Sequence, residues 1–202
     1  MKRKVNGIDF KKDFDLENER VLLRPLKQTD FVLLEHFALN EPELWQYSLV
    51  SGASSKKLKA YIEQAIAERN ANLAYPFLVI DKKTNEVAGS TRFYDYQPKH
   101  NTIQLGYTWY GQKFQGTGLN QNCKCLLLSF AFEKWKLDRV EFRADNNNQK
   151  SIRAMKNIGC KQEGVLRSNC ADFDGGRRDS IVLSILKNEW FSEVKEILQS
   201  KK

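Results

Sequence analysis

Residues 110–120 read YGQKFQGTGLN, and the chain runs from them directly into NQNCKCLLLSFAFEKW, residues 120–135. Gly116 and Gly118 stand against the start of a segment whose apolar residues Cys123, Leu126, Leu127, Phe130 and Ala131 recur at helical spacing. Glycine is a poor helix former, so its use here calls for a reason. One reason is an ordinary turn from strand to helix. The other is an anion site: the first N–H groups of a helix lack intrahelical partners, the helix dipole favours negative charge there, and glycine presents no Cβ to an approaching phosphate. A G-x-G pair alone does not separate the two.

The familiar phosphate motifs fail at this position. A P-loop requires Lys-Ser/Thr after the second glycine, and Leu119-Asn120 stands there. A dinucleotide fold places its glycines in the first βα unit. Here several strands come first. RVLLRPL (20–26) predicts a short strand that Pro25 confines to an edge or strand end. TDFVLLEHFAL (29–39) predicts a helix capped by Thr29 or Asp30, and EPELWQY (41–47) a short helical turn carrying Trp45 and Tyr47. In SSKKLKAYIEQAIAERN (54–70), Leu58, Tyr61, Ile62, Ala65 and Ile66 make one face of an amphipathic helix capped by Ser54 or Ser55. AYPFLVID (74–81) and EVAGSTRFYDY (86–96) read as a hairpin, followed by a third strand, TIQLGYTW (102–109).

Beyond the glycine loop and its helix come a strand, DRVEFRAD (138–145), and a short helix, NQKSIRAMKNIG (148–159), stopped by Gly159. KQEGVLR (161–167) and RRDSIVLSIL (177–186) flank a turn at Gly175-Gly176, and NEWFSEVKEIL (188–198) closes as a helix with Trp190, Val194 and Ile197 inward. Hairpin-like strands followed by β-α-β crossovers imply one mixed α/β domain: a central, twisted, mostly antiparallel sheet of about seven strands flanked by helices. The domain is expected to span residues 1–202, with residues 1–18 as an N-terminal extension and 199–202 as a basic tail.

Composition narrows the class. Of the 202 residues 41% are hydrophobic and 29% charged, which suits a folded globular chain rather than a disordered one. No apolar run is long enough for a membrane span, and the N-terminus MKRKVNGIDFKKDF lacks the apolar stretch of a secretory signal, so the expected location is the cytoplasm. Cys123 and Cys125 face different ways on a helix, which suits neither a disulfide nor zinc; with Cys160 and Cys170 they read as small hydrophobes, and no metal is expected. Removing Lys2, Arg3, Lys4, Lys201 and Lys202 takes the formal charge of +8 down to +3, and no body segment interleaves basic and aromatic residues as nucleic-acid binders do.

Taken in order, EVAGSTRFYD, NTIQLGYTWYGQKFQGTGLN, LLLSFAFEKWKLDRVEFRADNNNQKSIRAMKNIGCKQEGVLR and DGGRRDSIVLSILKNEW resemble the GNAT acetyltransferases, in particular their ribosomal-protein N-acetyltransferase (RimJ/RimL-like) branch, from about Arg20 to Trp190. The resemblance implies acetyl-CoA as co-substrate. Its diphosphate would lie on the loop Gln112 to Asn120, which includes Lys113, Phe114, Gln115, Gly116, Thr117, Gly118, Leu119 and Asn120. Lys113 stands where the family has Gln or Arg. Pantetheine would lie along the strand carrying Leu105, Gly106, Tyr107, Thr108 and Trp109, with Asn148, Ser151 and Met155 on the following helix close by.

Acyl transfer to an amine needs a neutral amine, stabilisation of the carbonyl oxygen and a proton for the departing thiolate. The family's acid is a tyrosine at the position of Met155, which cannot donate; the Asn148–Ser151 pair of the Asn-x-x-Ser pattern offers the Ser151 hydroxyl instead, unless that hydroxyl only serves its own helix. For the base, the family often has Glu where this chain has Gln104, leaving Glu141 and Asp95 as nearby carboxylates or a water chain in their place. The implied acceptor is a protein N-terminal amine or a small-molecule amine. Ribosome association and a monomer or homodimer fit the branch, and a membrane partner does not. Two other readings stay open: a CoA-binding module without turnover, and a basic RNA- or ribosome-binding protein.

Overall fold

The computed structural model describes residues 7–171 and 175–200. Its strands in chain order are β1 (Leu16–Glu17), β2 (Val21–Pro25), β3 (Ala74–Asp81), β4 (Glu86–Gln97), β5 (Thr102–Tyr110), β6 (Arg139–Asp145), β7 (Lys161–Ala171) and β8 (Arg177–Leu186). They form one eight-stranded sheet in the order β1-β2-β3-β4-β5-β6-β8-β7. Every neighbouring pair is antiparallel except β5 and β6. The strand beyond the expected seven is β1, a two-residue edge too short to carry an alternating pattern.

The helices are α1 (Phe31–Asn40), α2 (Ser55–Asn70), α3 (Leu119–Ser129) and α4 (Gln149–Asn157). Ser54 is the cap of α2, its hydroxyl accepting from the Lys57 amide at 3.2 Å, and the expected face of Leu58, Tyr61, Ile62 and Ala65 is buried. Gly159 ends α4 at φ +93, a left-handed conformation that suits glycine. α3 is not one-sided. Besides Cys123, Leu127 and Ala131, it buries Lys124, Cys125, Leu128 and Phe132, while Leu126 and Phe130 are only partly covered. A helix so enclosed is the central one of its domain, and its continuation over Phe130–Lys134 is π-helical.

The closing segment is α-helical over Lys187–Glu189 and Lys195–Ser200, with a π-helical stretch, Trp190–Val194, between them. That stretch shifts the phase by about one residue. Trp190 and Val194 are buried as expected, but Leu198 takes the inward place assigned to Ile197.

Part of the expected N-terminal extension belongs to the body. Phe10 is fully buried against Tyr75 and Trp135, with its amide 2.7 Å from Asn72 Oδ1 and its carbonyl 2.8 Å from Arg69 Nε. Nothing in the local pattern announces this, because the contacts come from α2 and β3, more than fifty residues away. Phe10→Ala should therefore cost about 3–5 kcal/mol of unfolding free energy, read from urea denaturation. A loss under 1 kcal/mol would mean that the segment merely rests on the domain.

Candidate active site

Two ladders of the sheet set the site's geometry. β6 pairs with β8 over its whole length, from Arg139–Leu186 to Asp145–Ser180. β5 follows β4, but their register shifts between the pairs Ser90–Trp109 and Arg92–Gly106, so Thr91 faces both Tyr107 and Thr108. This is a β-bulge, and Tyr107 sits in it at φ +49. β5 and β6 meet only at Thr102–Arg139, Ile103–Val140 and Gln104–Glu141. Beyond them the strands part, leaving one side of β5 from Leu105 onward without a ladder partner. Gly106 lies beside the bulge, where a Cβ would press on the Tyr94 ring at 3.0 Å.

The loop after β5 turns through a 3-10 helix, Gln112–Phe114, into α3. Gly116 and Gly118 have φ of +74 and +84, and a Cβ on either would meet no atom within 4 Å. Gly118 is the N-cap and has no side chain to satisfy the helix end. Among the described residues, the amides of Gly116 through Gln121 donate to no protein acceptor; the first that does is Asn122, to Gly118 O at 3.2 Å. A row of free amides at the head of an eleven-residue helix, with open space above the glycines, fits a diphosphate.

Side chains fasten this loop from beneath. Thr117 Oγ1 donates to Phe114 O at 2.8 Å, Gln115 Nε2 to Tyr110 O at 2.7 Å, and the Tyr110 hydroxyl to Asn120 Oδ1 at 3.2 Å. Leu105, Phe114 and Leu119 are buried, so these three can serve a ligand only through their backbone. Lys113 lies at the rim, but its ammonium is 2.6 Å from Glu86 and above the Phe114 ring. Two further cations, which the sequence did not point to, contact side chains of the loop. Arg20, ion-paired with Asp81, reaches Thr117 Oγ1 at 3.5 Å, and Lys150 in the first turn of α4 donates to Gln115 Oε1. Arg20 comes from the other end of the sequence and Lys150 from the next crossover, so only the fold brings them together.

The catalytic candidates have distinct fates. Asn148 caps α4, accepting from the Ser151 amide at 3.0 Å, while the Ser151 hydroxyl makes no hydrogen bond among the described residues. Met155 is buried one turn further on. Both carboxylate oxygens of Glu141 are taken by guanidinium donors, Arg139 and Arg143, each at 2.7 Å. Gln104 is buried and donates to Asp95 Oδ2 at 2.6 Å; Gln97 donates to the other oxygen at 2.6 Å. No free carboxylate is left beside the parting among these residues.

The other side of β5 carries a cluster that the sequence reading missed. Arg92 is buried between the rings of Tyr107, at 4.1 Å, and Tyr61, at 4.8 Å, with Glu68 2.8 Å away. Burial disfavours its charge, but Tyr61, Glu68 and Tyr107 more than offset that. Trp45 belongs to the core, packed on Trp109 at 5.0 Å, whereas Tyr47 is exposed and its carbonyl accepts from Arg178 at 3.0 Å. Cys123, Cys125 and Cys160 are buried thiols, and the described residues hold no group of three metal-ligating side chains.

The least expected group is Lys124. Its side chain is buried, and its ammonium is 2.8 Å from Thr108 Oγ1, which is 2.7 Å from Thr91 Oγ1. Burial pushes the ammonium down to about 8 from its ordinary 10.5. The folded chain therefore binds fewer protons than the unfolded one between those pH values, and the cost to the fold is full below pH 8 and fades toward pH 10.5. Lys124→Met should stabilise the protein at pH 7 by on the order of 1–3 kcal/mol, with the advantage shrinking as the pH approaches 10, in denaturation curves taken in parallel. An advantage that does not vary with pH would contradict the assignment.

Comparison with known proteins agrees with this geometry. Residues 20–161 match the model of the acetyltransferase (GNAT) domain. An uncharacterized N-acetyltransferase, p20, of Bacillus licheniformis is 26% identical over 183 residues, covering 87% of this chain and 97% of that one. A protein of Bacillus subtilis named "putative ribosomal N-acetyltransferase YdaF" is 29% identical over 107 residues, covering 53% of this chain and 57% of its own. A crystal structure described as a "putative acetyltransferase" from T. thermophilus superposes with a TM-score of 0.83 at 31% identity, covering 93% of this chain and 96% of that one.

Proposed function

The chain belongs to the GNAT acetyltransferases, and from that membership we propose that it transfers an acetyl group from acetyl-CoA to an amine in the cleft where β5 and β6 part. The observation that carries the reading is the row of unpaired amides from Gly116 to Gln121 at the mouth of that cleft. They would hold the coenzyme's diphosphate, with Arg20 and Lys150 adding charge at the rim. The unpartnered side of β5 from Leu105 to Trp109 offers backbone groups to the pantetheine amides, as an added strand would use them.

In the reaction the amine lone pair adds to the thioester carbonyl carbon, the C–S bond breaks, the sulfur takes up a proton and the nitrogen gives one up. Ser151, with its hydroxyl free and its backbone fixed by Asn148, is our proton donor to the sulfur. A base is harder to find, since Glu141 is held by two arginines and Gln104 is an amide bound to Asp95. That favours an acceptor that needs little help. A chain N-terminal amine, with an ordinary pKa of about 7.7–8.0, is far more often neutral near pH 7 than a lysine at about 10.4. We therefore place protein N-termini first among acceptors and small amines of similar basicity second; the name of the Bacillus subtilis relative, a putative ribosomal N-acetyltransferase, is compatible with a protein acceptor.

Calorimetric titration should give saturable binding of acetyl-CoA. Gly118→Ala, which puts a methyl group into the open space above the loop, should weaken that binding by about tenfold or more while costing only about 1–2 kcal/mol of stability. Equal binding by the variant would remove the loop from the site. With an acceptor chosen from a panel of peptides and small amines, Ser151→Ala should lower kcat by about 100-fold without loss of coenzyme affinity. Unchanged kcat would exclude Ser151, and tight coenzyme binding without turnover on any acceptor would make the protein a binding module.

A further inference from the structure

We propose that Lys124 is the cation that faces the thioester carbonyl in this protein and stabilises the negative charge developing on its oxygen. This inference rests on the acetyl-CoA reading above and adds to it a residue of this chain. Lys124 lies on α3, the helix whose first amides form the anion site, and its ammonium meets both strands of the parting. It is 2.8 Å from Thr108 Oγ1, on the unpaired stretch of β5, and 5.9 Å from the centroid of the Phe142 ring, on the stretch of β6 that has left β5. The ammonium thus stands beneath the cleft, between its two walls.

Its surroundings do not satisfy it. The side chain is 5% exposed, no carboxylate among the described residues lies within salt-bridge distance, and its one hydrogen bond there is to Thr108. An ammonium has three N–H donors. Thr108 occupies one and is itself held by Thr91, 2.7 Å away, so the group is fixed in position with donors to spare. Burying a charge without a counter-ion is costly, and structural needs would be met more cheaply by an apolar residue such as the leucines around it. A charge developing in the cleft would provide what the static structure lacks. Preorganised donors in a dry site act on such charge most strongly, and they do so without reorganising during the reaction.

The groups facing Lys124 leave it as the one that titrates near pH 8. Cys123 on its own helix and Cys160 after α4 are buried thiols pushed up to about 12, and Tyr110 on β5 is held well above its ordinary range by burial. With the ammonium itself at about 8, a carbonyl oxygen accepting from it would favour the charged form, so binding draws a proton in.

Titration of acetyl-CoA at pH 8 in two buffers of different ionisation heat measures that proton. The wild-type protein should take up a fraction of a proton, up to about one half, and Lys124→Met none. Met fills similar volume without charge, and melting curves check that it folds. With acetyl-CoA and the best acceptor from the panel, Lys124→Met should lower kcat by about 10²–10³-fold and change the KM for acetyl-CoA by only a few-fold. Thr108→Val, which keeps the charge and removes its anchor, should lose less. If both proteins bind with the same proton uptake, or if kcat is unchanged in Lys124→Met, Lys124 has no such role. If the wild type does not bind acetyl-CoA at all, the coenzyme reading itself fails, and this inference falls with it.

Discussion

Everything at the site depends on the divergence of two neighbouring strands, β5 and β6. β6 is committed to β8 along its whole length, and β5 is bent along β4 by the bulge at Tyr107. After the Gln104–Glu141 pair the edge of β5 that faces β6 has no ladder partner. An unpaired strand side inside a sheet is normally a defect, since each bare amide or carbonyl away from water costs free energy comparable to a lost hydrogen bond. Here it lies beside a second set of unpaired amides, at the start of α3. Two deficits of the same kind, side by side, are what a ligand rich in phosphate and amide groups would make good.

The same economy governs the charges. Arg92 is buried but compensated by Glu68 and two tyrosine rings, so its charge is fully accounted for within the protein. Glu141 is likewise matched by two arginines. Lys124 differs from both: buried, it has a hydroxyl for company and no described carboxylate. Compensated groups hold the sheet halves in place, and the uncompensated one sits where they separate. That contrast sets Lys124 apart from Arg92 and Glu141.

The order of elements was legible in the sequence because each strand and helix carries its own period and its own stop: Ser54 before α2, Gly159 after α4, and the turn residues between β3 and β4. The glycine loop was legible for the same local reason. What stayed hidden depends on distant contacts. Phe10 is core only because α2 and β3 supply its partners. Ile197 gave way to Leu198 because of a π-helical stretch that no periodicity signals. Lys124 drew no notice between its two cysteines, and only the enclosure of α3 shows that its side chain is buried. The strand along which pantetheine would lie was expected from family resemblance, whereas Arg20 and Lys150 at the loop required the folded chain.

We propose that the bare amides of the loop and of β5 together receive one coenzyme molecule. Backbone amide resonances of the full-length protein, followed by ¹⁵N-resolved NMR as CoA is added, test it most directly. Large, saturable shifts are expected at Gly116, Thr117, Gly118 and Leu119 together with residues 105–109 of β5, all with one dissociation constant. Shifts confined to exposed lysines, or a loop that responds while β5 does not, would contradict it.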